Sequence, residues 1–322
     1  MYASSRAAFA ALVAVAAMFP FRISACSSCG CNAGTEWFAS AAPRGLGLAL
    51  DLRYDFVNQN QLRLGRSPVS TAGLTTADID NEIQRGTLTN FYTLGADYVF
   101  GLHWGLNLQA PFLVRLHETV AEDDDPRVSA TDDRGLGDLR LIGRYQASFG
   151  RDAVGVQFGL KLPTGRFHKS FDTGPRTGEA LDRGLQLGSG TTDLIMGLYD
   201  TGAFGERFDR FEQVQYRVAL NSREQFRPSP QAFVNLGLRY RLRETLLPQL
   251  QLNFRWEGRE IGAQSDYPNS GSRALYLTPG ATWRLAPRWN AYGFAQWPLY
   301  QDYTGYQLAP RYLLSAGLSY GF

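Results

Sequence analysis

Leu46-Gly47-Leu48-Ala49-Leu50-Asp51-Leu52-Arg53-Tyr54-Asp55-Phe56-Val57 is the stretch whose reading decides the fold. Successive side chains of an extended strand point to opposite faces. Leu46, Leu48, Leu50, Leu52, Tyr54 and Phe56 therefore share one wholly apolar face, and Asp51, Arg53 and Asp55 stand on the other. In a soluble sandwich the apolar face would meet a second sheet. In a membrane barrel it meets lipid, and the charged face encloses a polar lumen.

Recurrence separates the two. Tyr92, Leu94, Ala96, Tyr98 and Phe100 repeat the apolar face, as do Leu106, Leu108, Ala110, Phe112, Val114 and Leu116. Leu139, Leu141, Gly143, Tyr145 and Phe149 follow, and after the turn Gly150-Arg151-Asp152 come Val154, Val156, Phe158, Leu160 and Leu162. Strands are expected near 192–203, 211–221, 231–242, 248–258, 274–285 and 289–300, the last in ambiguous register because both faces carry aromatics. Tyr312, Leu314, Ala316, Leu318, Tyr320 and Phe322 close the chain. Alternating segments of about ten residues, joined in turn by short Gly- or Pro-containing links and longer polar ones, predict an all-β, transmembrane antiparallel up-and-down β-barrel of about 12 strands.

The N-terminus has a different character. Arg6 precedes an almost unbroken apolar run from Ala7 to Phe21, and Ile23-Ser24-Ala25 offers small residues before Cys26. That is the layout of an export signal, expected over 1–25, and the run is too short for a comfortable spanning helix. The same residues resemble a lipoprotein box that would lipidate Cys26, a match that Arg22 weakens. A Cys-rich periplasmic segment is expected over 26–44 and the barrel over 45–322, in the bacterial outer membrane. Beyond Cys26 no segment reaches the roughly 18 consecutive apolar residues of a membrane helix. The net charge of +2 does not point to nucleic acid. The expected surroundings are outer-membrane lipid and lipopolysaccharide. Phe322, ending an amphipathic strand, resembles the terminal signature read by the barrel assembly machinery.

Gly135-Leu136-Gly137-Asp138-Leu139 leading to Arg144-Tyr145, then Gly159-Leu160-Lys161-Leu162-Pro163-Thr164-Gly165, and Leu187-Gly188-Ser189-Gly190-Thr191-Thr192-Asp193-Leu194 form a set of glycine-rich motifs. With Gln307 to Tyr312 and Gly317 to Phe322, they resemble the outer-membrane protein family named for the MetA pathway of phenol degradation. That resemblance implies a transporter-like barrel, with a hydrophobic or aromatic compound as its solute. The motif residues themselves read as structural first: Pro163 ends a strand, and Gly188 and Gly190 let the backbone re-enter the next.

The inward parity collects Arg53, Arg115, Arg140, Arg144, Lys161, Arg217, Arg239, Arg241, Arg255 and Arg284 against Asp51, Asp55, Asp97, Asp138, Asp193 and Glu257. Such a lumen either conducts, with mild anion preference, or is plugged by its own ion pairs, since a barrel of this size leaves little bore. Acidic runs at Asp78, Asp80 and Glu82, and at Glu122 to Asp125 with Asp132 and Asp133, are expected in external loops. There they are solvated or bind cations that bridge lipopolysaccharide. The loop from Arg166 to Arg183 is a candidate constriction.

Cys26, Cys29 and Cys31 are the chain's three cysteines. Their thiols suit a soft metal or a redox contact, but three sulfurs fall short of a usual zinc set, and a disulfide is the ordinary fate in the periplasm. No other cofactor is expected. His103, His117 and His168 are the histidines, and only His117 with Asp132 or Asp133 imitates a catalytic pair; no enzyme is expected. The leading expectation is a channel for small solutes. The alternative is an accessory barrel whose cysteine segment binds a metal or a redox partner.

Overall fold

A computed structural model describes residues 46–72, 74, 82–120 and 127–322. Among the described residues thirteen strands follow one another: β1 (Gly47–Gly65), β2 (Ser67–Pro68), β3 (Ile83–Phe100), β4 (Trp104–Val120), β5 (Val128–Leu136), β6 (Leu139–Phe149), β7 (Asp152–Leu162), β8 (Asp193–Phe204), β9 (Phe208–Ala219), β10 (Gln231–Tyr240), β11 (Leu246–Glu257), β12 (Ser272–Ala286) and β13 (Trp289–Gly321). Eleven of them form the wall, each antiparallel to its neighbours, and β13 closes on β1 over the register Ala49↔Gly321 to Gly65↔Tyr303. β2 and β5 stand outside that ring, paired with β1 and β4 respectively.

An odd number of straight strands cannot close with every neighbour antiparallel, and β13 resolves this. Its first half pairs with β12 up to Ser272↔Tyr303, its second half pairs with β1, and the chain reverses at Gly305, whose φ of +66° suits a residue without Cβ. The halves lie side by side: Gly321 N donates to Arg288 O at 3.0 Å, and Gln301 Nε2 to Pro310 O at 3.0 Å. The wall is thus crossed twelve times by eleven continuous runs.

Burial is inverted relative to a soluble protein. Leu52, Leu94, Phe112, Phe158, Leu250 and Trp297 are exposed, whereas Thr89, Asp97, Arg115, Gln251 and Glu257 are buried inside. An apolar belt this extensive needs hydrocarbon around it. No described helix is long and apolar enough to span a membrane; the strands do so.

Two expectations are corrected. Residues 128–136, expected in an external loop, form β5, which pairs with the outer half of β4 while β6 pairs with its inner half. β5 and β6 are in effect one strand interrupted at Gly137-Asp138. β1 and β3 also extend well past the alternating segments, through Gln59–Gly65 and Ile83–Thr89. The ladder continues there after the alternation stops, because above the hydrocarbon both faces can be polar. The register of the first half of β13 is settled as well: Tyr292 and Phe294 face inward, and Trp297 and Leu299 outward.

Candidate functional site

The inward charges are held largely in pairs. Arg53 Nε lies 2.8 Å from Asp55, and Arg144 grips Asp97 through two bonds of 2.5 and 2.8 Å. Lys161 sits between Asp138 (3.0 Å) and Asp193 (3.1 Å), and Arg217 approaches Asp193 at 3.6 Å. Arg255 pairs with Glu257 at 2.6 Å, and Gln231 also donates to Glu257. Asp51 accepts from the Tyr292 hydroxyl at 3.0 Å, and Arg239 is buried near the inner end of β10. Arg241 and Arg284 are not lumen residues. Arg241 bonds Asp209 at the turn end, and Arg284 is exposed there, because both strands have already left the hydrocarbon.

The glycine-rich motifs converge on one carboxylate. Asp138 accepts from Gly165 N (3.0 Å) through one oxygen, and from Lys161 Nζ, Ser189 N (3.0 Å) and Ser189 Oγ (2.9 Å) through the other. Thr164 Oγ1 donates to Gly137 O at 2.9 Å and accepts from Leu139 N at 2.9 Å. Thr191 Oγ1 donates to Asp193 at 2.8 Å. Gly137, Gly165 and Gly188 pack backbone to backbone, so that a Cβ on Gly165 would stand 2.7 Å from Gly188 Cα and 3.0 Å from Gly137 Cα. The motifs tie both ends of the β7–β8 loop to the break between β5 and β6. Lys161 also contacts Ser189 Oγ, but its ammonium is engaged by two carboxylates, which makes it a clamp rather than a base.

From that knot the loop folds into the barrel. Arg115 on β4 donates to Leu185 O at 2.6 Å, Gln186 O at 3.1 Å and Thr89 Oγ1 at 3.0 Å. Leu187 enters an apolar cluster with Val57, Phe91, Leu113, Ala274, Tyr276 and Leu313, contributed by the contiguous strands β12, β13, β1, β3 and β4. A second apolar layer lies nearer the outer rim, where Leu62 is in register with Leu308 and Ile83 with Val120. A third, Phe211, Tyr292 and Phe294, lies towards the inner end.

A cavity of about 110 Å³ opens beside the loop, with Arg115, Arg140, Lys161, Arg183 and Arg217 in its lining together with Phe91, Leu113, Leu187 and Phe226. Across β7 to β12 the wall carries an uncharged ladder. Gln213 donates to Gln157, Asn235 to Gln213 and Asn253 to Asn235, each at 2.9 Å, and Thr278 donates to Asn253 at 2.6 Å. Gly197 leaves room for it on β8, where a Cβ would meet Gln157 Oε1 at 3.0 Å.

The outer part of the loop docks on the rim. Arg176 pairs with Glu82 and lies over the Phe171 ring at 4.9 Å. His117 is buried, bonded to Thr87 Oγ1 at 2.8 Å and 3.5 Å from Glu82. His117 is not paired with Asp132 or Asp133: Asp133 pairs with Arg166, and Asp132 with Arg134. Asp182 caps the short turn Arg183–Leu185 by accepting from Gly184 N at 2.8 Å. Its second oxygen is buried and makes no hydrogen bond among the described residues. Burial, with Asp266 adding repulsion, pushes this carboxyl up to about 7. Glu224, exposed beside His168 and Arg183, is held below the usual carboxylate range by the His168 hydrogen bond first.

Cys26, Cys29 and Cys31 lie outside the described residues, as do Asp78, Asp80 and Glu122 to Asp125. Sequence reasoning missed the apolar patch and the amide ladder. Both were visible in principle as large apolar or amide residues on the inward parity: Val57, Phe91, Leu113 and Leu313, and Gln157, Gln213, Asn235 and Asn253.

The chain is a transmembrane antiparallel β-barrel with a loop folded into its lumen. No family model matches it, and no curated protein matches it in sequence. It is similar in structure to an outer membrane channel from Pseudomonas putida F1, with 15% identity over 87% of this chain and 97% of that one and a TM-score of 0.63. It is also similar to the translocator domain of the autotransporter NalP from Neisseria meningitidis, with 10% identity, 88% and 92% coverage and a TM-score of 0.51. These likenesses show the fold.

Proposed function

We propose that the chain is a channel of the bacterial outer membrane for small, weakly polar solutes, hydrophobic or aromatic ones among them. The observation that carries this reading is the apolar patch on the lumen side of β12, β13, β1, β3 and β4, against which Leu187 of the inserted loop packs. A pore lined only for ions would not place Val57, Phe91, Leu113, Tyr276 and Leu313 together against Leu187. An apolar surface of this kind favours an apolar solute, which sheds its hydration cost against it. The channel from Pseudomonas putida supports the reading through its fold. The exposed belt then faces lipid, Phe322 serves barrel assembly, and the external acidic loops meet lipopolysaccharide.

Refolded protein in planar bilayers and in liposomes tests this. The expected result is a small ionic current together with accelerated entry of uncharged aromatic solutes relative to sugars of similar mass. Sugar entry as fast as aromatic entry would overturn the reading.

A further inference from the structure

We infer that the cavity between the inserted loop and the wall binds a neutral short-chain alcohol, its hydroxyl held by Gln109 and its apolar body by Pro111, Leu113 and Leu187. The inference rests on the channel reading and names a substrate class for it. Gln109, Pro111 and Leu113 are successive inward positions of β4, set about 7 Å apart by the rise of an extended strand. The amide therefore stands at the foot of an apolar row, which Phe91 and Leu187 widen.

The direction of that amide is fixed by its neighbours. Asp97, gripped by Arg144, can only accept, so Asn107 turns Nδ2 towards it, at 3.5 Å, and Oδ1 towards Gln109. Gln109 Nε2 donates to that Oδ1 at 2.9 Å. Gln109 Oε1 ends the relay, buried and without a hydrogen bond among the described residues. A buried acceptor that lacks a donor is costly, so a ligand that brings an O–H gains there.

Charge and size narrow the class. Lys161 lies between Asp138 and Asp193, Arg217 approaches Asp193, Arg183 holds Glu224, and Arg115 holds the carbonyls of Leu185 and Gln186. An ionic ligand of either sign would have to displace such partners, whereas a neutral one leaves them in place. An ether accepts without donating, and would meet Gln109 Oε1 as a second acceptor. A cavity of about 150 Å³ holds benzene, so about 110 Å³ takes a short aliphatic chain rather than a ring.

The probes are n-butanol and its isomer diethyl ether, which differ in the hydroxyl, with butyrate and butylammonium as charged counterparts. Saturation-transfer NMR on the refolded barrel in detergent, blanked against protein-free micelles, reads binding without requiring transport. Failure of this site and failure of the channel reading are therefore distinguishable. The alcohol is expected to bind best. Gln109→Leu keeps the bulk and removes the acceptor, and should weaken n-butanol about fivefold, to the level of the ether, the loss of one hydrogen bond. Diethyl ether binding wild type as well as n-butanol does would overturn the hydroxyl site, whether or not the variant folds. A charged probe binding best would overturn the neutral class. A folded Gln109→Leu barrel that keeps the full preference for n-butanol would remove the site from Gln109.

Discussion

Arg115 reaches from β4 across the lumen edge to the carbonyl oxygen of Leu185, 2.6 Å away, and so fastens the inserted loop to the wall. Charge-assisted bonds of this kind contribute about 1.5–3 kcal/mol. Arg115→Met keeps the bulk of the side chain and removes every donor. Backbone amides of 183–190 are then expected to exchange hydrogen faster, with the barrel strands unchanged. Equal exchange in wild type and variant would show that Leu187 and the knot hold the loop alone.

The knot is the second fastening. A methyl on Gly165 has no space against Gly188 and Gly137, where the nearest atoms are backbone and cannot swing aside. Overpacking of this kind costs about 1–3 kcal/mol. For Gly165→Ala, and for Gly188→Ala, limited proteolysis should cut the 166–187 segment more readily while the thermal unfolding of the barrel hardly moves. A large drop in barrel stability would mean that the loop is part of the folding core.

Leu187 packs against the apolar half of the lumen wall. Leu187→Ser shortens the side chain and hydrates the gap between the loop and the wall. Single-channel conductance is expected to rise several-fold, and a current equal to wild type would place the ion path elsewhere in the lumen.

The Asp182 carboxyl yields a pH dependence of defined sign. With the loop seated it ionises at about 7, against 3.8 for the ordinary group. The seated state therefore binds its proton more tightly than the released state. The stabilisation is fully present below about 3.8, declines as pH rises from there, and is gone above about 7. Loop proteolysis should be faster at pH 8 than at pH 5.5, and Asp182→Asn, which cannot ionise, should flatten the difference. A loop more labile in acid would contradict the assignment.

Within the wall, Asp97 and Arg144 form the best-defined lumen pair, and the guanidinium lies over Gly105, where a Cβ would stand 2.5 Å from Nε. Removing one partner of a buried pair costs about 3–5 kcal/mol. Asp97→Ala should lower the barrel's stability towards denaturant in detergent by up to that amount, and Asp132→Ala, whose Arg134 partner is exposed, by far less.

The strand segments were legible because each one carries its own two-faced pattern. Leu250, Leu252, Phe254 and Trp256 announce an outer face without any neighbour. β5 was not legible: Val128 to Leu136 hold a strand through pairing with β4, and their charges had read as loop. The inward charges were placed by parity, and Arg241 and Arg284 escaped the rule because parity does not report where a strand leaves the membrane.

Alternation is a local property of an extended backbone, so the sequence by itself determined that this chain makes a closed barrel, greasy outside and polar within. Which charges pair, and what occupies the lumen, are relations between segments. Asp138 meets Ser189 across 51 positions, and Arg115 meets Leu185 across 70. No periodicity encodes such a meeting. Only the closed wall brings Gly137, Gly165 and Gly188 close enough to turn a loop inward and seat Leu187 in the lumen.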